Sequence, residues 1–352
     1  GISFSVEDKI KIVQRLDELG ISYIEAGNPG SNPKDMGFFN RVTGLKLNNA
    51  KIIAFGSTRK VKTTVEQDSN LQSLLDAKTP AVAIFGKSWD YQVTDILRTT
   101  LDENLNMIAS TICFLKQHGK EVVFDAEHFF DGYKANPDYA MQTLEAAADA
   151  GANTLCLCDT NGGAFPSDVY AITAKVVNQF KVQIGIHCHN DSEMAVANSV
   201  AAVQAGARQV QGTINGIGER CGNANLCSII GDLELKLNMP CLPEGHLPLL
   251  YDVSHFVAEM ANLDKMFPPG RVPPFNLALV HLGLGDRARA LDNLERAYAA
   301  DSQWLGWLRL DKTFQPCPAE PGDELYPNGI FEFNITRLLA FVATQLDRFP
   351  IE

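Results

Sequence analysis

No stretch of this sequence approaches the roughly 20 consecutive apolar residues that cross a bilayer as a helix, and no block of lysine and arginine interrupts its acidic balance. With 30 basic residues against 42 acidic ones and a formal charge of −12, neither nucleic acid nor an anionic membrane surface is expected as a partner. The opening residues, Gly1-Ile2-Ser3-Phe4-Ser5, contain neither a basic region nor an apolar core, so no secretory signal is expected there. The eight cysteines include no Cys-x-x-Cys pair. Cys156, Cys158 and Cys188 lie in or beside apolar runs, as reduced, buried residues of a cytoplasmic protein do. No early Gly-x-Gly-x-x-Gly follows a strand, which removes the fingerprint of a dinucleotide-binding fold. Disorder is excluded as well, because 45% of the residues are hydrophobic and only 20% charged.

What is present is a regular alternation of helix and strand over residues 1–240. Ser5 followed by Asp8 marks a capped helix start, Ile10, Val13, Leu16 and Leu19 keep helical spacing, and Gly20 ends the run. Extended segments are expected at Ile21–Glu25, Ile52–Gly56, Ala81–Gly86, Val122–Asp125, Thr154–Cys158, Val182–His187 and Gln209–Thr213. Helices are expected between them, for example over Thr99–His118, Ala140–Ala150 and Met194–Ala205. Three units end alike, with a helix, a glycine and then a strand, at Gly20, Gly151 and Gly206. Near-continuous apolar strands alternating with helices make a parallel sheet covered on its faces. Seven strands opening directly on a helix, with polar residues at the ends of many strands, predict a (β/α)8 TIM barrel lacking its first strand. An open doubly wound sheet would gather those residues at one crevice.

Two segments carry the chemistry. In Ile186-His187-Cys188-His189-Asn190-Asp191, strand alternation turns His187 and His189 the same way, a half-site for a divalent metal or a hydrogen-bonded pair of strand histidines. Gly216-Ile217-Gly218-Glu219-Arg220-Cys221-Gly222-Asn223 follows the last strand and reaches the same end of the barrel. There the Asn223 amide oxygen can complete a metal corner, and Glu219 and Arg220 are either functional or a plain surface ion pair.

Together these segments resemble the metal-dependent barrel family of 2-isopropylmalate, homocitrate and citramalate synthases. Ile84-Phe85-Gly86-Lys87-Ser88-Trp89-Asp90, Asp125-Ala126-Glu127-His128-Phe129-Phe130-Asp131 and Cys158-Asp159-Thr160-Asn161-Gly162-Gly163 look like its citramalate synthase branch. The resemblance covers residues 1–263. It implies an acyltransferase that condenses acetyl-CoA with a 2-oxo acid, pyruvate in that branch, and an intact family member that is a homodimer; 2-isopropylmalate synthase is the alternative within the family. It further implies a divalent metal (Mn, Mg or Zn) held by His187, His189 and Asn223, and catalytic roles for Glu127 in proton abstraction and Thr160 at the substrate carboxylate. Glu25, Thr160, Glu219 and Arg220 are implied as substrate-binding, with Glu25 lining the mouth. For Glu127 a rim salt bridge is the alternative, and for Asp125 a purely structural role.

The family's first strand ends in an Arg-Asp pair, and a helical subdomain follows its barrel; neither is matched here. The family-like run stops after Tyr251–Leu263. Residues 264–274 read as a linker, 275–314 as a weakly tetratricopeptide-like helical hairpin in a small α-helical C-terminal extension, and 315–352 as an unassigned tail. Residues 1–352 alone are therefore expected to be a weak catalyst. The competing expectation is an inactive barrel remnant that serves as a protein-interaction module.

Overall fold

The computed structural model describes residues 4–263 and, beyond them, Arg289, Asp292, Asn293 and Arg296. The expected linker, helical hairpin and tail therefore lie outside the described residues, apart from those four. Residues through Ala261 form one compact unit.

Seven parallel strands pair in sequence order: β1 (Tyr23–Glu25), β2 (Lys51–Ser57), β3 (Ala81–Lys87), β4 (Glu121–Glu127), β5 (Thr154–Asp159), β6 (Gln183–Cys188) and β7 (Gln209–Gln211). The expected TIM-barrel strands are all there. Among the described residues no ladder joins β1 to β7, so the expected gap falls between them. Side chains alternate across the sheet. Ile52, Ala54, Val82, Ile84, Val122, Phe124, Leu155, Leu157, Ile184 and Ile186 face the helical layer and share one buried core with it. Ile53, Ala81, Ala83, Val123, Cys156 and Cys158 form a second core inside the barrel.

Helix α1 (Val6–Leu19) starts as its sequence dictates. The Ser5 hydroxyl accepts the Asp8 N–H at 3.1 Å, and the Asp8 carboxylate accepts the Ser5 N–H at 2.9 Å. It ends at Gly20, whose φ of 102° is left-handed and whose Cα lies so close to the Pro243 ring that a Cβ would fall 2.2 Å from its Cδ. The two later glycines of the same pattern, Gly151 and Gly206, share this conformation. Helices α2 (Pro33–Val42), α3 (Ser69–Asp76), α4 (Leu101–Gln117), α5 (Phe129–Ala135), α6 (Pro137–Asp149), α7 (Pro166–Gln179), α8 (Ala195–Gln204) and α9 (Leu226–Gly231) follow, and α10 (Leu249–Met260) closes the unit. Val253 and Val257 of α10 pack with Leu19 of α1. None of the described helices is long and apolar enough to cross a membrane.

Two strands are shorter than expected. β1 starts at Tyr23 rather than Ile21, because the Ile21 N–H completes the cap of α1 by donating to the Leu16 carbonyl at 3.0 Å. β7 ends at Gln211 rather than Thr213. Gly212 approaches the Ala224 carbonyl so closely that a Cβ would lie 2.5 Å from it, and Thr213 bridges to Asn225 instead of continuing the ladder. Wide helical turns at Gln92–Leu97 and Asp232–Lys236 carried no sequence signal.

The end of α1 is tied to the entry of β2 by one carboxylate. Buried Asp17 accepts the backbone N–H groups of Asn48, Asn49 and Ala50 at 2.8–3.1 Å. Burial pushes its pKa up, but these donors outweigh burial and hold it below its ordinary value. Asp17→Ala leaves the three amides without an acceptor and should cost about 3 kcal/mol in urea unfolding at pH 7. Because the folded pKa is depressed, this advantage over the variant is complete above the ordinary aspartate value of about 3.9 and shrinks as pH falls below it.

Candidate active site

His187 ends the inward face of β6, and His189 continues the alternation one step beyond it. Their Nε2 atoms face each other at 3.4 Å. Cys188, between them, turns into the helical layer and is fully buried. His187 Nδ1 is hydrogen-bonded to Gln211 Oε1 at 2.9 Å, across the register that pairs the two residues. Burial pushes the His187 pKa down to about 4, with His189 adding to the effect and the Gln211 bond opposing it. Burial also lowers that of His189, with the Arg220 charge adding to it. Both imidazoles are thus neutral at pH 7, the form that binds metal.

Asn223 is brought to the histidines by backbone. An antiparallel bridge pairs it with His189, the Asn190 N–H donates to the Gly222 carbonyl at 2.8 Å, and the Ala224 N–H donates to the Cys188 carbonyl at 3.0 Å. Glycine is required at 218, because a Cβ there would fall 2.3 Å from Asn223 Oδ1. Asn223 Oδ1 and His189 Nδ1 are buried without a hydrogen-bond partner. Two neutral imidazoles facing each other beside a partnerless amide oxygen fit a divalent cation. Imidazole nitrogens about 2.1 Å from one ion stand about 3–3.5 Å apart.

Arg220 draws the rim loops together. Its guanidinium grips Asp191 through Nε and Nη2, each at 2.8 Å, and Nη2 also donates to the Thr160 carbonyl at 2.7 Å. Glu219 stays 83% exposed, 3.9 Å from Arg220. The Thr160 hydroxyl oxygen accepts the His128 N–H at 2.8 Å. Glu127 pairs with Lys87 Nζ at 2.5 Å, at the ends of β4 and β3, which are in register there.

Deeper inside, a cavity of about 760 Å³ is lined by Glu25, His187, Gln211 and Asn223 and by both unpaired sheet edges. Glu127, Thr160, Glu219 and Arg220 are not among its lining residues. Asp125 is buried and accepts the Gln211 amide N–H at 2.8 Å. The donor atoms of Asp125, Cys156 and Cys158 lie within 4.8 Å of one another. Burial pushes the Cys156 thiol well up, and although the Cys156 hydrogen bond pulls Cys158 down, burial and the nearby carboxylates carry it up too, so both cysteines keep their protons at pH 7.

Sequence reasoning missed Lys87 and Gln211. Lys87 stood in a quoted motif, and strand register with Glu127 was the available signal. Gln211 stood in an expected strand, and its pairing with His187 needed a register that sequence alone does not supply.

Residues 1–257 match the HMGL-like family. The chain is 58% identical over 264 residues to (R)-citramalate synthase of Aquifex aeolicus, covering 75% of this chain and 50% of that protein. With (R)-citramalate synthase of Geobacter sulfurreducens it shares 56% over 262 residues, or 74% of this chain and 50% of that one. It thus spans about half the length of the curated relatives it matches. The HMG-CoA lyase of Bacillus subtilis has the same fold, with a TM-score of 0.61 at 20% identity over 74% of this chain and 88% of that chain.

Glu25 is exposed on the unpaired edge strand β1, where it lines the cavity. Loss of bulk water around its carboxyl among the barrel walls, with the Asp125 charge second, pushes its pKa up to about 8. Between the unfolded value of about 4.3 and that folded value, folding takes up a proton, so stability falls as pH rises through the window. Glu25→Gln should therefore raise the melting temperature relative to the parent chain more at pH 8.5 than at pH 5.

Proposed function

The chain belongs to the HMGL-like family, and on that premise we propose that the intact protein condenses acetyl-CoA with pyruvate to give (R)-citramalate and free CoA. The observation that carries this reading is the facing His187–His189 pair beside the partnerless Asn223 oxygen. The choice of substrates rests on relatives named (R)-citramalate synthase at 46–58% identity, against 33–36% for those named 2-isopropylmalate synthase.

Members of the family generally depend on a divalent metal. His187, His189 and Asn223 would hold it here, as Mn, Mg or Zn, and when bound it supplies positive charge that polarises a ketone. The remaining work falls to the chain. Thr160 uses its oxygen as an acceptor for His128, which leaves its own proton free to donate to the substrate carboxylate. Glu127, held by Lys87 through one oxygen, offers the other to a methyl proton of the acetyl group. The methyl carbon then bonds to the ketone carbon, the new alkoxide takes up a proton, and water releases CoA from the thioester. Lys87 adds positive charge where negative charge develops. Arg220 keeps the three loops of the rim closed over the substrate, Glu219 stands at its outer edge, and Glu25 lines the cavity beneath them rather than the mouth. The seven described cysteines are free thiols, which suits a reducing, cytoplasmic setting.

Thiol release from acetyl-CoA in the presence of pyruvate tests the reading. The intact protein should release thiol and form citramalate, and Glu127→Gln should slow it by about 10²–10⁴-fold. Residues 1–352 alone should fall below about 1 s⁻¹. Absence of pyruvate-dependent release from the intact protein would sink the proposal. In calorimetry, His187→Ala and His189→Ala should each abolish Mn²⁺ binding; unchanged affinity in both would return them to structural histidines.

A further inference from the structure

The geometry points to Gln211 as a positioning residue that locks His187 in one tautomer, with Asp125 fixing which way the Gln211 amide points. The inference rests on the reading of His187, His189 and Asn223 as metal ligands and assigns how that site is prepared before any ion arrives.

The argument is a sequence of donors and acceptors. Gln211 Nε2 can only donate, and it lies 2.8 Å from Asp125 Oδ1, an atom that accepts whether or not the carboxyl carries a proton. That bond holds Nε2 towards Asp125 and Oε1 towards His187. Gln211 Oε1 can only accept, and it lies 2.9 Å from His187 Nδ1, so Nδ1 must carry the ring proton. A neutral imidazole has one N–H, so Nε2 is left with a lone pair, and Nε2 is the atom that faces His189. Neither outer residue is free to turn away. Asp125 is 5% exposed, and the backbones of His187 and Gln211 are paired in register. His189 has no such partner, since its Nδ1 is buried without a hydrogen bond. In the metal-free chain the 3.4 Å contact then makes His189 Nε2 the donor to His187, and an ion that takes both Nε2 lone pairs needs that proton on the partnerless His189 Nδ1. A hydrogen-bonded outer partner of this kind typically contributes about 10–100-fold in metal affinity.

Gln211→Leu removes the acceptor with little change in volume, and is compared in the full chain with a double variant, Gln211→Glu with Asp125→Asn. The double variant reverses donor and acceptor between positions 211 and 125 while still accepting from His187 Nδ1. Two readouts apply: Mn²⁺ affinity by calorimetry, and imidazole ¹⁵N shifts of the metal-free chain, which report the tautomer directly. Gln211→Leu should weaken Mn²⁺ about 10–100-fold and shift His187 away from the Nδ1–H form, and the double variant should restore both. If Gln211→Leu leaves affinity and tautomer unchanged while His187→Ala abolishes binding, the positioning role is wrong and the metal site stands. If His187→Ala and His189→Ala leave affinity unchanged, the metal site itself is wrong. Should circular dichroism show Gln211→Leu unfolded, the double variant decides alone: parent-like shifts and affinity support the proposal, and loss of both overturns it.

Discussion

A polar side chain pointing inward from a parallel sheet has lost bulk water and must find its partners within the barrel. That constraint organises this molecule. Lys87 meets Glu127, Gln211 joins Asp125 to His187, and Tyr23 donates its hydroxyl to Glu121 at 2.5 Å on the opposite rim. Lys87 and Glu127, like Gln211 and His187, meet across strand register, Tyr23 and Glu121 both open their strands, and Gln211 reaches Asp125 across the barrel, so the sheet also sets the chemistry of its interior. The atoms left over are informative for the same reason. Asn223 Oδ1 and His189 Nδ1 stand without partners at the facing histidines, and Gln209 Oε1 on the edge strand β7 is likewise unmatched.

The rim obeys a different logic. Its loops leave β5, β6 and β7 separately; backbone bridges the last two at His189 and Asn223, and a side chain is needed to tie in all three. Arg220 does this with one side chain in a left-handed backbone conformation, joining the loop after β7 to Asp191 after β6 and to the Thr160 carbonyl after β5. A lysine could reach one of these acceptors; the planar fork of arginine reaches both.

Much of this was legible in the sequence, and the reason is local. Ser5 with Asp8, the glycines at 20, 151 and 206, and the apolar runs of β2 to β6 each announce their element through contacts within a few residues. The histidine pair was legible because alternation fixes which side chains share a face. Where reading failed, the deciding contact was remote. Ile21 left β1 because of a cap completed by Leu16, and β7 stopped because Ala224 lies against Gly212. Gln211 looked like any strand glutamine until register placed it opposite His187. Glu127 was visible as an acid at a strand end, but its ion pair with Lys87 depends on the alignment of two strands 40 positions apart.

Pairing in strict chain order bears on how the molecule is made. Each strand can dock on its predecessor soon after leaving the ribosome, since every partner it needs has already been synthesised. The exception lies at the end of α1, where the Leu19 carbonyl is within 3.3 Å of His246 Nδ1, a residue 227 positions later, and where Leu19 meets Val253 and Val257. Until α10 emerges, that apolar end stays bare while the sheet grows beside it. The nascent barrel therefore carries an uncovered apolar surface through the synthesis of all seven strands, and α10 is the piece that relieves it.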